Sequence, residues 1–321
     1  MTVIQKPGAK ELALNMPDFI IDTDSSILFE VKHGDSLILS ERYVPDALNQ
    51  VRTHRLGRFL ANALWGVWCN GNLQSQDFVM GTFHFYVDGV SVGSTDVIFT
   101  SHWLKRSGIP QFLSQGTTKV TRPGVTEYLS ILTPSNVRAE AVNEKGDLIS
   151  TYLGQANGVA TLDVSYDRVA SSLGFNPVGQ YRITVGNDVF TFVVDHNNYT
   201  EVFQFRYRNV FDLPESLSCV GDLKLKGAEK ASTGYLYGVE RKFDVRANDE
   251  YEVSSGVIFL GSEYKYWHDF MNTREAELLI DGTWFPILIS KQNYEREFRK
   301  DRLKSIEFSF RFADPDQNGL L

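Results

Sequence analysis

The sequence predicts a mainly β protein, built as two or three β-sandwich or β-barrel-like domains with a few short helices. Three observations carry that reading. Short segments alternate apolar and polar residues with a period of two, the mark of half-buried strands. Phe, Tyr and Trp make up 13% of the 321 residues, and rings favour a pleated surface. Strands and helices do not alternate along the chain, which excludes a doubly wound fold.

The strand segments, in order, are ILFEVK (27–32), TFHFYV (82–87), DVIFT (96–100), YRITV (181–185), VFTFVV (189–194), VFQFRYR (202–208), AELLI (276–280), WFPILI (284–289) and IEFSFRF (306–312). Hairpin turns are expected at Asp88-Gly89, Gly186-Asn187-Asp188 and Asp281-Gly282, where Gly or Asn accepts the positive φ of a tight turn. Three helices are expected. Apolar spacing places one at 54–64, YDRVASSL (166–173) is stopped by Gly174, and 261–273 has Ser262 as its N-cap. Two polar breaks, GTTKVTRPGVTE–TPSN (116–136) and DHNNYTE (195–201), divide the chain into domains at 1–132, 133–198 and 199–321.

Composition narrows the function classes. The chain holds 32 Lys and Arg against 40 Asp and Glu, a net charge of −8. Recognition of nucleic-acid sequence is therefore not expected, because it needs a basic face. The two cysteines, Cys69 and Cys219, allow one bridge but are too few for a disulfide scaffold or a cysteine-built zinc site. Free thiols are expected if the chain is made in a reducing cytoplasm. No apolar run approaches the ~20 residues needed for a helical membrane span. The N-terminus carries no secretory pattern.

The motif search yields no catalytic, cofactor or metal residues. Gly34-Asp35-Ser36-Leu37 spells the GDSL esterase signature, but none of the histidines (33, 54, 84, 102, 196, 268) has the required aspartate three residues before it. A serine without a base is a weak nucleophile, so the motif reads as a hairpin turn. Asp314-Pro315-Asp316-Gln317-Asn318-Gly319 opens like a calcium loop yet ends before the bidentate glutamate. The histidines lack metal-ligand spacing, so a metal site would need residues joined by the fold. Of the aromatic group Trp65, Trp68, Phe78, Phe83, Phe85 and Tyr86, Phe83 and Phe85 share one strand face while Tyr86 faces the other. A sandwich core is expected there in preference to a sugar platform. KQNYEREFRKDRLK (291–304) mixes six basic with three acidic residues and reads as a solvated or intersubunit strip.

Two stretches carry a resemblance. The first is ILFEVKHGDSLILSERYVPDALNQV with FHFYVDGVSVGSTDVIFT and TRPGVTEYLSI. The second is an R-N-x-F-x-x-P-E segment (Arg208, Asn209, Phe211, Pro214, Glu215), an I-D-G-x-x-x-P-I-L-I hairpin (Asp281, Gly282, Pro286, Ile287) and a closing F-x-F-x-x-A strand (Phe308, Phe310, Ala313). Together they resemble the tail structural proteins of tailed phages and prophages of the Bacteroidetes. The resemblance implies a non-enzymatic virion component without cofactors, assembled in the host cytoplasm and located in the tail. Its expected partners are copies of itself in a ring and other tail proteins. Intersubunit contacts are expected at hairpin 276–290, strip 291–304 and the Asp88-Gly89 hairpin. The alternative is an adhesin that binds a host surface glycan.

Overall fold

The computed structural model describes all residues except 106–107, 134–135, 228, 248, 294–303 and 318–320. The fold is mainly β, with 49% of residues in strands and 12% in helices, arranged in several sheets. Every strand segment expected from alternation lies in or overlaps a strand.

The first 100 residues build a five-stranded sheet in the order Lys10–Leu12, Val90–Ile98, Met80–Val87, Ile27–His33, Ser36–Tyr43. A small sheet of Thr2–Gln5, Ile20–Asp22 and Gln50–Arg52 accompanies it. The alternation of Ile27–His33 places Ile27, Phe29 and Val31 inward, where Phe29 and Phe85 meet Phe19 at centroid distances of 5.2 and 4.9 Å. The Asp88-Gly89 turn has φ of 48° and 79°, as a two-residue hairpin requires.

A five-stranded sheet follows, in the order Thr118–Thr121, Asp188–Val194, Gln180–Val185, Asn136–Val142, Leu148–Gln155. The last sheet has seven strands: Pro214–Cys219, Phe203–Arg208, Ala276–Ile280, Thr283–Asn293, Glu307–Phe312, Glu250–Ser254 and Leu223–Lys226. From between Leu223–Lys226 and Glu250–Ser254 rises a separate two-stranded ribbon, Glu229–Leu236 with Val239–Ala247.

The boundaries expected at 132 and 198 do not coincide with breaks in the core. Thr118–Thr121 runs parallel to Asp188–Val194 in the middle sheet. Leu73–Ser75 pairs with Gly158–Asp163, which pairs in turn with Tyr128–Thr133. One continuous core joins Val137, Ile183 and Phe190 of the middle sheet to Phe205, Tyr207 and Phe310 of the last. The N-terminal core takes in Val210, Phe211 and Leu213 from far along the chain.

The helix expected at 166–173 has those bounds, while the other two start later than expected. Helix α1 covers Leu56–Ala61 and is shorter than 54–64, because Arg55 takes a left-handed φ of 54° immediately before it. Its first amide is capped from a distance: the Asp18 carboxylate accepts the Leu56 N–H at 2.9 Å. Helix α2 spans Tyr166–Leu173 and ends at Gly174, φ 78°. Helix α3 spans Tyr264–Met271 and is preceded by a 3-10 turn, Gly261–Glu263, that contains Ser262. The capping role expected of Ser262 falls to Glu263, whose carboxylate accepts the Leu260 N–H at 3.1 Å. No helix among the described residues is long and apolar enough to cross a membrane.

Candidate functional site

The R-N-x-F-x-x-P-E segment forms the plug between the N-terminal and C-terminal sheets. Asn209 organises it, its carbonyl oxygen accepting the N–H groups of Phe211 (2.9 Å) and Leu213 (3.2 Å). Its amide donates to Leu113 O (2.9 Å) and to Glu215 (3.0 Å). The turn thrusts Phe211 into the N-terminal core, where it is fully buried. Asp212 sits at φ 60°, accepts the Gly66 N–H at 2.8 Å and pairs with Arg274. Gly66 is required by this approach, since a Cβ there would lie 1.8 Å from Asp212 O. Arg208 stacks on Trp68 at 4.2 Å and donates to Glu275 at 3.0 Å.

A cavity of about 470 Å³ opens beside this plug, lined by Arg58, His102, Arg208, Asn209, Asp269 and Arg274 among others. At its wall the fold gathers His102, His268 and Asp269, whose ligand atoms lie within 4.8 Å of one another. Gln115 bridges two of them, His102 and Asp269. Its amide nitrogen donates to His102 Nε2 at 3.1 Å and to Asp269 Oδ1. That contact leaves the His102 proton on Nδ1, which faces Ser101 Oγ at 3.3 Å. Burial lowers the His102 pKa, while the neighbouring Asp269 carboxylate raises that of His268.

Below the plug lies a buried ionic seam. Lys119 pairs with Glu127 at 2.5 Å, and both side chains are almost wholly buried. Glu127 also accepts from Ser216 Oγ at 2.8 Å, and Lys119 donates to the Ser216 carbonyl. Glu215 accepts from Ser114 Oγ at 2.9 Å, and burial pushes its carboxyl up to about 7. Arg122 pairs with Asp195 at 3.0 Å and donates to Ser218 Oγ at 2.8 Å. These bonds tie the strands Thr118–Thr121 and Pro214–Cys219 together. Charge inside a fold is tolerated only with such full pairing.

Of the residues singled out by sequence, Ser36 opens the exposed second strand of a hairpin whose turn is Gly34-Asp35. Its cross-strand neighbour His33 is engaged elsewhere, stacking on Phe83 at 4.8 Å and donating Nδ1–H to Thr82 O at 3.1 Å. The aromatic group divides. Phe83 and Phe85 are core, Trp65 and Phe78 stack on each other in solvent at 5.2 Å, and Trp68 holds arginines. Asp314 opens a 3-10 turn and accepts the Asp316 N–H at 3.0 Å, while 318–320 lie outside the described residues. Most of strip 291–304 also lies outside them.

Hairpin 276–290 requires a correction as an edge for intersubunit pairing. Both its strands are interior to the seven-stranded sheet, with Phe203–Arg208 on one side and Glu307–Phe312 on the other. Their backbone groups are already paired. Both cysteines are buried and free.

Sequence reading missed two features. The histidines of the cluster stand 166 positions apart (268 − 102), so no local spacing announces them. The ribbon at 229–247 is the second. Its turn is Tyr237-Gly238, at φ 52° and 75°, and five large side chains near that end point into solvent: Tyr235, Leu236, Tyr237, Val239 and Phe243. Tyr237 is 94% exposed.

No protein-family profile matches the chain, and no curated protein matches it. Among solved structures, a tri-modular GH5 (subfamily 4) endo-β-1,4-glucanase from Bacillus licheniformis aligns over 58% of this chain and 37% of its own, at 12% identity and a TM-score of 0.18. The alignment thus spans little more than a third of that enzyme, and a TM-score this low carries no argument about fold or activity.

Proposed function

We propose that the chain is a non-enzymatic structural protein of a phage tail, which assembles with copies of itself into a ring and connects tail components. In this reading it is made in the host cytoplasm and resides in the virion. The observation that carries the proposal is the ribbon 229–247. A protruding hairpin that places Tyr235, Leu236, Tyr237, Val239 and Phe243 in solvent exposes the kind of apolar patch that marks an interaction surface. Among the described residues its two strands pair only with each other, and the outer edge of such a ribbon is one that a neighbouring sheet can extend. A closed ring would bury both and leave no edge for uncontrolled pairing.

The resemblance to tail proteins supports the same reading, and the plug accounts for its most distinctive motif. Arg208, Asn209, Phe211, Pro214 and Glu215 each have a packing or hydrogen-bonding role in joining the sheets. A scaffold that transmits force would need such joints.

The test is the mass of the purified chain in solution, with negative-stain images of the same sample. Closed particles of a single order are expected, and Tyr237→Ser with Phe243→Ser should dissociate them. Particles of unchanged order in the double variant would remove the ribbon from the assembly. A monomer at all accessible concentrations, with or without the virion's other tail proteins, would refute the ring.

One observation favours the adhesin reading. The exposed Trp65–Phe78 pair, with rings inclined by only 14°, offers a small aromatic surface of the kind sugars stack on. Glycan binding abolished by Trp65→Ala would support it.

A further inference from the structure

We infer that His102, His268 and Asp269, with the side-chain amide of Gln115 as fourth ligand, form a binding site for a zinc-class divalent transition-metal ion.

The geometry is close to what such an ion needs. Ligand atoms about 2.0–2.2 Å from a tetrahedral centre stand roughly 3.3–3.6 Å from one another. Here Gln115 Nε2 is 3.1 Å from His102 Nε2, and His268 Nδ1 is 3.9 Å from Asp269 Oδ1. The His268 side chain is half exposed, so a small rotation closes the remaining gap. Turning the Gln115 amide by 180° exchanges its nitrogen for a carbonyl oxygen, which presents a lone pair at the point where three ligands converge.

The surroundings fit as well. The His102 Nε2 lone pair, which now accepts from the Gln115 amide, is released to an ion when that amide turns, while Nδ1–H faces Ser101 Oγ. An imidazole oriented by an outer hydrogen bond is the usual arrangement of a metal-bound histidine. Asp269 Oδ2 is held by the Val210 N–H at 3.3 Å, and turning the Gln115 amide, which now donates to Oδ1, frees Oδ1 for the ion. The Asp269 side chain is 1% exposed, and among the described residues its ion-pair partner is His268. A buried carboxylate answered by a half-exposed imidazole is short of positive charge, and a divalent ion supplies it. Two imidazoles with one carboxylate select zinc, nickel or copper over magnesium and calcium.

The ion would act as a clamp. Its ligands come from the loop after the N-terminal sheet, from the connector into the middle sheet and from α3, three segments with no covalent link near this point.

The test uses the full chain after dialysis against a chelator, titrated with ZnCl2 by calorimetry and followed by thermal unfolding. One ion per chain is expected, with a rise in Tm that EDTA reverses and that MgCl2 does not reproduce. His268→Ala and His102→Gln should each weaken binding about ten-fold or more, while His84→Ala, on the exposed face of the N-terminal sheet, should leave it unchanged. His268→Ala removes a half-exposed side chain, so an unaltered Tm without zinc separates lost binding from lost folding. No saturable heat with ZnCl2, or binding that persists unchanged in both histidine variants, overturns the assignment.

Discussion

Replacing Glu215 by Gln should change how stability depends on pH. The Glu215 carboxyl is fully buried and its pKa is pushed from 4.5 up to about 7 by desolvation, against the opposing pull of Lys119 and Asn209. A raised pKa means that the native state holds the proton more tightly than the unfolded chain. The associated stability is fully present below pH 4.5 and is lost as pH rises through about 7. Each pKa unit corresponds to about 1.4 kcal/mol, so the loss is about 3 kcal/mol by pH 8. In the Glu215→Gln variant the side chain is neutral at every pH. The new carbonyl can accept from Asn209 Nδ2 and the new amide can donate to Ser114 Oγ, the two partners that Glu215 now has. Urea unfolding of both proteins from pH 4.5 to 8 measures the effect. The variant's stability relative to the parent should rise by about 3 kcal/mol across that range, a shift in midpoint of about 1 M. A difference that stays flat across the range would show that Glu215 is ionised throughout, with Lys119 outweighing burial.

Other substitutions probe the joints and the surface. Lys119→Met should strand Glu127 as an unpaired buried charge and cost about 3–5 kcal/mol; denaturant unfolding reads it, and a loss below about 1 kcal/mol would contradict the buried pairing. Gly57→Ala places a Cβ 1.7 Å from Ala13 O, so Tm should fall by several degrees as α1 is pushed off its neighbour; an unchanged Tm would count against that packing. Tyr237→Ser should leave Tm unaltered while weakening self-association by about 2 kcal/mol, roughly thirty-fold, if the ring is buried on assembly; sedimentation across a concentration series decides. Cys69 and Cys219 should both resist thiol reagents until the chain unfolds, since burial raises both thiol pKa values; fast labelling of either native thiol would be the contrary result.

Most strands are legible because each buries one face, which writes alternation into the sequence. Ile27–His33 and Gln180–Val185 show it plainly. The ribbon 229–247 buries neither face fully, so GYLYGVERKF carries no such pattern, and Tyr237 at a positive φ is an atypical turn residue. Only Gly238 announces the bend. The start of α1 is illegible for another reason: its cap is Asp18, 38 positions upstream of Leu56. Ser262 reads as a cap because local rules favour serine, but Glu263 reaches back to Leu260 instead. The plug motif stands out in the sequence, while its role does not. Asn209 and Asp212 serve contacts to Leu113, Gly66 and Arg274 that only the folded chain creates. The histidine cluster has the same character, since its members meet through tertiary packing alone.

The exchange of segments between sheets has a consequence for biogenesis. Strand Thr118–Thr121 has its sheet partner at Asp188–Val194, and the N-terminal core lacks Phe211 until the plug is made. Ribosomes extend chains at about 5–20 residues per second, so the roughly 70 residues between those two strands take several seconds. Throughout that interval the nascent N-terminal third presents an unfilled apolar seat and an unpaired strand. Fragments cut at 132 or 198 would inherit the same defects permanently. Such exposed apolar surface is what holding chaperones bind, and the N-terminal core can close only after Val210, Phe211 and Leu213 have been made.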